Sequence, residues 1–108
     1  IVLLHGCVSR LIDAALYAQH FKNIYIDLSF TLCRYINSSL IKDFEYLFEF
    51  LDKKIIIGSD HPEYNYFDLR KNLINIEKIL IKRLNHQDLK KKFTNVMNKN
   101  LLSIIENY

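Results

Sequence analysis

The chain has 108 residues, half of them hydrophobic and a quarter charged, which fits one small domain and excludes a disordered chain. Its net charge of +3 is too small for a dominant phosphate-binding footprint, and two cysteines without CxxC spacing exclude a disulfide framework. No run approaches the roughly 18–20 apolar residues that cross a bilayer, so a soluble, cytoplasmic protein with no membrane partner is expected.

Residues 1–5 (IVLLH) read as a fully buried strand punctuated by Gly6. Ser9 then caps a helix carrying Leu11, Ile12, Ala15, Leu16 and Ala18, which ends near Phe21. Residues 24–28 (IYIDL) give a second strand, and 30–37 a loop with one helical turn. Ser38 or Ser39 caps a helix whose stripe is Leu40, Ile41, Phe44, Leu47, Phe48 and Leu51. A third strand covers 54–57, followed by a loop over 58–65. Leu69, Leu73, Ile76, Leu80 and Leu84 line one face of a long helix, with Ile74 and Ile81 beside them. A short helix near Asp88–Asn95 and a last one over Leu101–Asn107, capped by Asn100, complete the chain.

Strands alternating with helices predict a parallel sheet with right-handed crossovers, its strands buried on both faces. Three strands leave exposed edges, so the parent is either an open doubly wound sheet or a closed eight-stranded barrel. Because the chain opens on a core strand at Ile1, it reads as the C-terminal piece of a longer protein, all 108 residues belonging to one domain. Charge is uneven: residues 70–99 hold nine Lys or Arg against Glu77 and Asp88, whereas 1–69 hold nine acids against six bases. The lysines interleave with a leucine and isoleucine pattern, so solvated helix faces are expected and no nucleic-acid partner.

In either parent fold, functional groups gather at the carboxyl ends of the strands, where His5, Asp27 and Asp60 all fall. Imidazole and carboxylate are the usual ligands of a catalytic zinc or similar divalent ion, which turns water into a nucleophile at neutral pH. Each residue also has a plainer reading. His5 can be a hydrogen-bonded structural residue, Asp27 a loop cap, and Asp60 an Asx-turn residue ahead of His61 and Pro62. His61 lines a pocket or is simply exposed, and Tyr64 and Tyr66 border the site or pack behind it. Cys7 reads as a small buried residue, and His20 and His86 as chemically idle.

The stretch IIIGSDHPE resembles the final-strand signature of the amidohydrolase-related (β/α)₈ metal hydrolases, the branch that includes aminocarboxymuconate-semialdehyde decarboxylase. IVLLHG is similar to that family's sixth strand, NIYIDLSF to its seventh and NKNLLSII to its closing helix. The resemblance implies the C-terminal part, about strands six to eight with their helices, of a TIM (β/α)₈ barrel. It also implies a metal-dependent hydrolase acting on a small-molecule amide, ester or lactone, or a related non-oxidative decarboxylase, with a divalent metal such as zinc. Asp60 would be the metal-ligand aspartate that handles the water's proton, and His5 the histidine that contacts substrate or water. His61 and Asp27 would border the substrate pocket, Asp27 having no fixed role in the family. Cys7 departs from the second glycine frequent after HG. The family's H-x-H pair and middle ligands have no counterpart in these residues, so the piece alone is expected neither to hold metal tightly nor to turn over. The rival reading from another class is a doubly wound binding or phosphoacceptor module, although only Gly6 and Gly58 are available for a phosphate loop.

Overall fold

The computed structural model describes residues 1–107. Three short strands, β1 (Val2–Leu3), β2 (Tyr25–Asp27) and β3 (Ile55–Ile56), form a parallel sheet in that spatial order. Leu3 pairs with Ile26 and Ile26 with Ile55, while Val2 pairs with Tyr25 and Asp27 with Ile56. Because side chains alternate across a strand, the row Leu3, Ile26, Ile55 shares one face, and Ile26 and Ile55 are fully buried in the helical core. The opposite row holds Val2, Tyr25, Asp27 and Ile56, and of these only Asp27 is buried. The expectation of strands buried on both faces therefore fails: one face meets helices and the other is half open.

The strands are also shorter than their apolar runs. The first ends at Leu3 because His5, Gly6 and Cys7 all adopt left-handed backbone (φ 55°, 58° and 58°) and Val8 has φ 53°. Such backbone is free only for Gly6; elsewhere it costs roughly 1–2 kcal/mol per residue. Gly6 is required twice over, since a Cβ there would sit 2.5 Å from Leu11 Cδ1.

Helix α1 (Leu11–His20) starts without a side-chain cap. Arg10 pairs with Asp13 at 2.9 Å across its first turn, so the expected Ser9 cap is replaced by an exposed ion pair. Its buried members are Leu11, Ala14, Ala15 and Ala18, whereas Ile12 and Leu16 face solvent, a rotation of the expected stripe toward the alanines that allow close approach to the sheet. The single helical turn expected over 30–37 is α2 (Thr31–Tyr35). Helix α3 (Ile41–Phe50) buries Phe44, Leu47 and Phe48 as the periodicity requires, and Ser38 Oγ accepts from Leu40 N just ahead of it. Helices α1 and α3 touch each other and share one core with the sheet.

Helix α4 (Tyr66–Leu80) opens with a reciprocal capping box: Asp68 N donates to Asn65 Oδ1 at 2.9 Å and Asn65 N to Asp68 Oδ2 at 3.1 Å. It buries Leu69, Leu73, Ile76 and Leu80; Ile74 and Ile81, expected beside them, lie outside. Helix α5 (His86–Thr94), capped by Asn85, runs through one π-helical turn (Asn95–Lys99) straight into α6 (Asn100–Glu106). Asn100 is therefore no cap. Its buried amide donates instead to the carbonyls of Asp52 (2.6 Å) and Ile55 (2.7 Å), which frees it from the helix start and ties α6 to β3. Several bases of the lysine-rich half are tethers as well: Arg83 reaches Glu45 and Glu49 on α3, and Lys92 reaches Asp52 and the Glu49 carbonyl. Among the described residues, no helix is long and apolar enough to cross a membrane.

Candidate functional site

The carboxyl ends of the three strands carry the polar groups that the sequence singles out. Two of them are tied together through the segment after β2. His5 Nδ1 lies 2.6 Å from the Ser29 carbonyl. A carbonyl only accepts, so Nδ1 carries a proton, and in the uncharged tautomer this leaves Nε2 as an acceptor. The Thr31 hydroxyl donates to the His5 carbonyl, also at 2.6 Å, so ring and backbone are both held by residues around the start of α2.

Asp27 is buried, and one carboxylate oxygen accepts from both Ser29 N (3.0 Å) and Ser29 Oγ (2.6 Å). This is an Asx turn, the loop-cap reading of Asp27, and it also sets the Ser29 carbonyl that orients His5. The sequence alone gave no role to Ser29 or Thr31. The D-x-S spacing of an Asx turn was the available signal for the first; nothing local marks the second, whose partner lies 26 positions away.

Asp60 stands differently. It is exposed, has left-handed backbone (φ 65°), and accepts Glu63 N on its carbonyl at 3.0 Å, the geometry of a tight turn. Its carboxylate has no hydrogen bond or ion pair among the described residues. His61 is exposed beside it. The loop bearing both is joined to His5 through aromatic rings. Tyr64 lies 6.0 Å from Phe30, and Phe30 meets the His5 ring edge-on at 5.6 Å. Tyr64 thus packs toward His5 through Phe30, whereas Tyr66 is exposed and contacts Phe67 on α4. Gly58 lets this loop leave β3 close to Ser29, because a Cβ there would sit 2.8 Å from Ser29 Oγ.

Cys7, expected to be buried, is exposed, because the left-handed turn carries it out past Gly6. Cys33, in α2, is half-buried. Burial raises its thiol pKa, and the charge of Asp68 adds to this, against a hydrogen bond with Asn72. His20 and His86 lie exposed on α1 and α5, away from this cluster.

The donor types at the strand ends, one imidazole and carboxylates, suit a divalent ion. Their number does not complete a site. Among the described residues no three His, Cys, Asp or Glu side chains converge, while a catalytic zinc takes about three protein ligands. No family model matches the chain, and neither a curated protein nor a solved structure matches it.

Proposed function

We propose that the chain is the C-terminal part of an amidohydrolase-related (β/α)₈ metal hydrolase, with His5 and Asp60 acting at the carboxyl rim of its barrel. The observation that supports this reading is a parallel winding that delivers His5, Asp27 and Asp60 to the same end of the sheet. The strands run in simple 1-2-3 order, and the crossover helices α1 and α3 touch each other over one sheet face. A barrel winds in this way, and so does one βαβαβ half of a doubly wound sheet, so the winding fits both and the strand-end residues favour the barrel. The half-open row of Val2, Tyr25 and Ile56 then becomes the barrel's interior face.

A divalent ion bound with Asp60 would lower the pKa of a coordinated water to near neutrality. The carboxylate of Asp60, without a partner among the described residues, would be available to take the water's proton. His5, fixed with a proton on Nδ1, would in its uncharged tautomer accept a hydrogen bond at Nε2 from water or from a substrate N–H or O–H. With its Nδ1 proton committed to Ser29, the uncharged ring has no proton left to donate to an oxyanion, so its role here is that of an acceptor. His61 and Tyr64 border the substrate, and Asp27 acts by holding Ser29. The remaining ligands belong to further β-α units of the barrel, and expulsion of a carboxylate by the same site is the companion reaction.

The test is metal analysis and turnover of the full-length protein carrying Asp60→Asn. Loss of bound metal and a fall in turnover of at least about 100-fold are expected from removing a ligand that also moves a proton. Full metal content with full activity would rule out the role. An upstream reading frame lacking an apolar strand that ends in H-x-H, roughly 150–250 residues before Asp60 as a barrel length requires, would sink the family assignment.

A further inference from the structure

Helix α4 is apolar on two opposite sides. Leu69, Leu73, Ile76 and Leu80 are buried in the core. On the far side Phe67 and Ile74, with Ile81 at the C-cap just past the last helical residue, recur every seventh residue, which places them in one row along the axis. They are 79%, 41% and 46% exposed, and the row is about 21 Å long at 1.5 Å per residue. A helix that already buries one face has no need of a second apolar row unless another surface covers it.

The flanks of the row indicate that surface. Arg70, Lys71, Lys78 and Lys82 border it on both sides, all exposed, and none pairs with an acid among the described residues. Phe67, Arg70, Lys71, Ile74 and Lys78 line a shallow groove of about 370 Å³. Glu77 is the one acid on this side of the helix. By contrast Arg83 and Lys92, from the same basic half, are consumed by contacts within the fold.

We propose that this face of α4 docks on an anionic lipid surface, with the helix lying in the plane of the interface. The apolar tips of Phe67, Ile74 and Ile81 enter the boundary between headgroups and acyl chains, while the long basic side chains extend sideways to the phosphates. A nucleic acid would use the cations but gain nothing from two isoleucines in register, and an acidic peptide would not need a row this long. The lipid surface uses both features. This changes the sequence-based expectation of no membrane partner for this one face, and it requires that the further β-α units of the proposed barrel leave this side of α4 open.

Co-sedimentation of the full chain with phosphatidylcholine vesicles, with and without phosphatidylserine, tests the proposal. At least about a tenfold preference for the anionic vesicles is expected, falling as salt rises. Each basic side chain near such a surface is worth roughly a fivefold factor in partition. Lys71→Glu combined with Lys78→Glu therefore lowers binding roughly 20-fold or more, and Glu77→Lys raises it roughly fivefold. Phe67→Ser lowers it severalfold without changing the salt dependence. Glu77→Lys is a gain-of-binding variant, so loss of folding cannot imitate its expected result. Equal or absent pelleting with both vesicle types, or no gain from Glu77→Lys, overturns the proposal. So does tighter retention by polyuridylate or polyglutamate than by the anionic vesicles.

Discussion

Two aspartates bracket β3, and they are opposites. Asp52 precedes the strand, is buried, and has both carboxylate oxygens and its carbonyl occupied. Lys92 meets Oδ1 at 3.3 Å, Asn95 meets Oδ2 at 2.7 Å, and Asn100 meets its carbonyl at 2.6 Å. Asp60 follows the strand, is exposed, sits in left-handed backbone, and keeps its carboxylate free among the described residues. The same residue type serves as a clasp at the amino end and as an available acid at the carboxyl end. Parallel β-α folds divide their labour in this way, with stability built at the bottom of the strands and chemistry at the top.

Alanine at each position gives the largest contrast. Asp52→Ala strands the Asn95 amide, leaves the Lys92 ammonium with only the Glu49 carbonyl and solvent, and should destabilise the domain by about 3 kcal/mol, the low end for a broken buried pair. Asp60→Ala should cost no more than about 1 kcal/mol, since the exposed side chain has no partner among the described residues and only the left-handed backbone, which Asp tolerates better than Ala, resists the change. Urea midpoints at constant m-value measure both. Similar losses at the two positions would mean that the carboxyl rim is structural and that Asp60 is not held in reserve.

The two ends were unequally legible. Periodicity gave the element order, the stripe of Phe44, Leu47 and Phe48, and the inner face of α4, because apolar spacing reports burial directly. It misplaced Ile12, Leu16, Ile74 and Ile81, since spacing cannot tell a core row from an apolar row that waits for another surface. Asn100 looked like a cap because Asn commonly caps helices; its actual partners lie 48 and 45 positions away, a distance no local pattern encodes. At the rim, the sequence located His5, Asp27 and Asp60 at strand ends. It missed that Ser29 couples the first two, and that His5, Cys7 and Val8 would adopt a backbone normally left to glycine.

That coupling can be tested through Gly58. A methyl group there approaches Ser29 Oγ to 2.8 Å, so Gly58→Ala must push aside the hydroxyl that binds Asp27. A loss of about 1–2 kcal/mol is expected, as for mild overpacking. His5 should respond too, because its ring hydrogen bond ends on the carbonyl of the same serine. In a Ser29→Ala background the crowding atom is gone, and the Gly58→Ala loss should shrink by at least about half in a double-mutant cycle. Strict additivity, with unmoved imidazole resonances of His5, would disconnect the loop after β3 from the histidine and confine the comparison of the two ends to β3 itself.

The finest division lies within the rim, between its outer turn and the helix behind it. Cys7 is exposed in the turn beside His5, and Cys33 is half-buried in α2. Burial, followed by the charge of Asp68, raises the Cys33 pKa against the opposing Asn72 bond, so at any pH below that value a smaller fraction is thiolate. Alkylation rate follows thiolate fraction and access together, which makes Cys7 the faster thiol at neutral pH by at least about tenfold. Raising the pH should narrow this ratio as Cys33 ionises, and the difference that survives at high pH measures access alone. Site-resolved mass spectrometry after a timed pulse of iodoacetamide reads both rates in one sample. Equal rates at neutral pH would mean that α2 opens as readily as the turn in front of it. The His5–Ser29–Thr31 bonds would then be too transient to hold an imidazole in one tautomer.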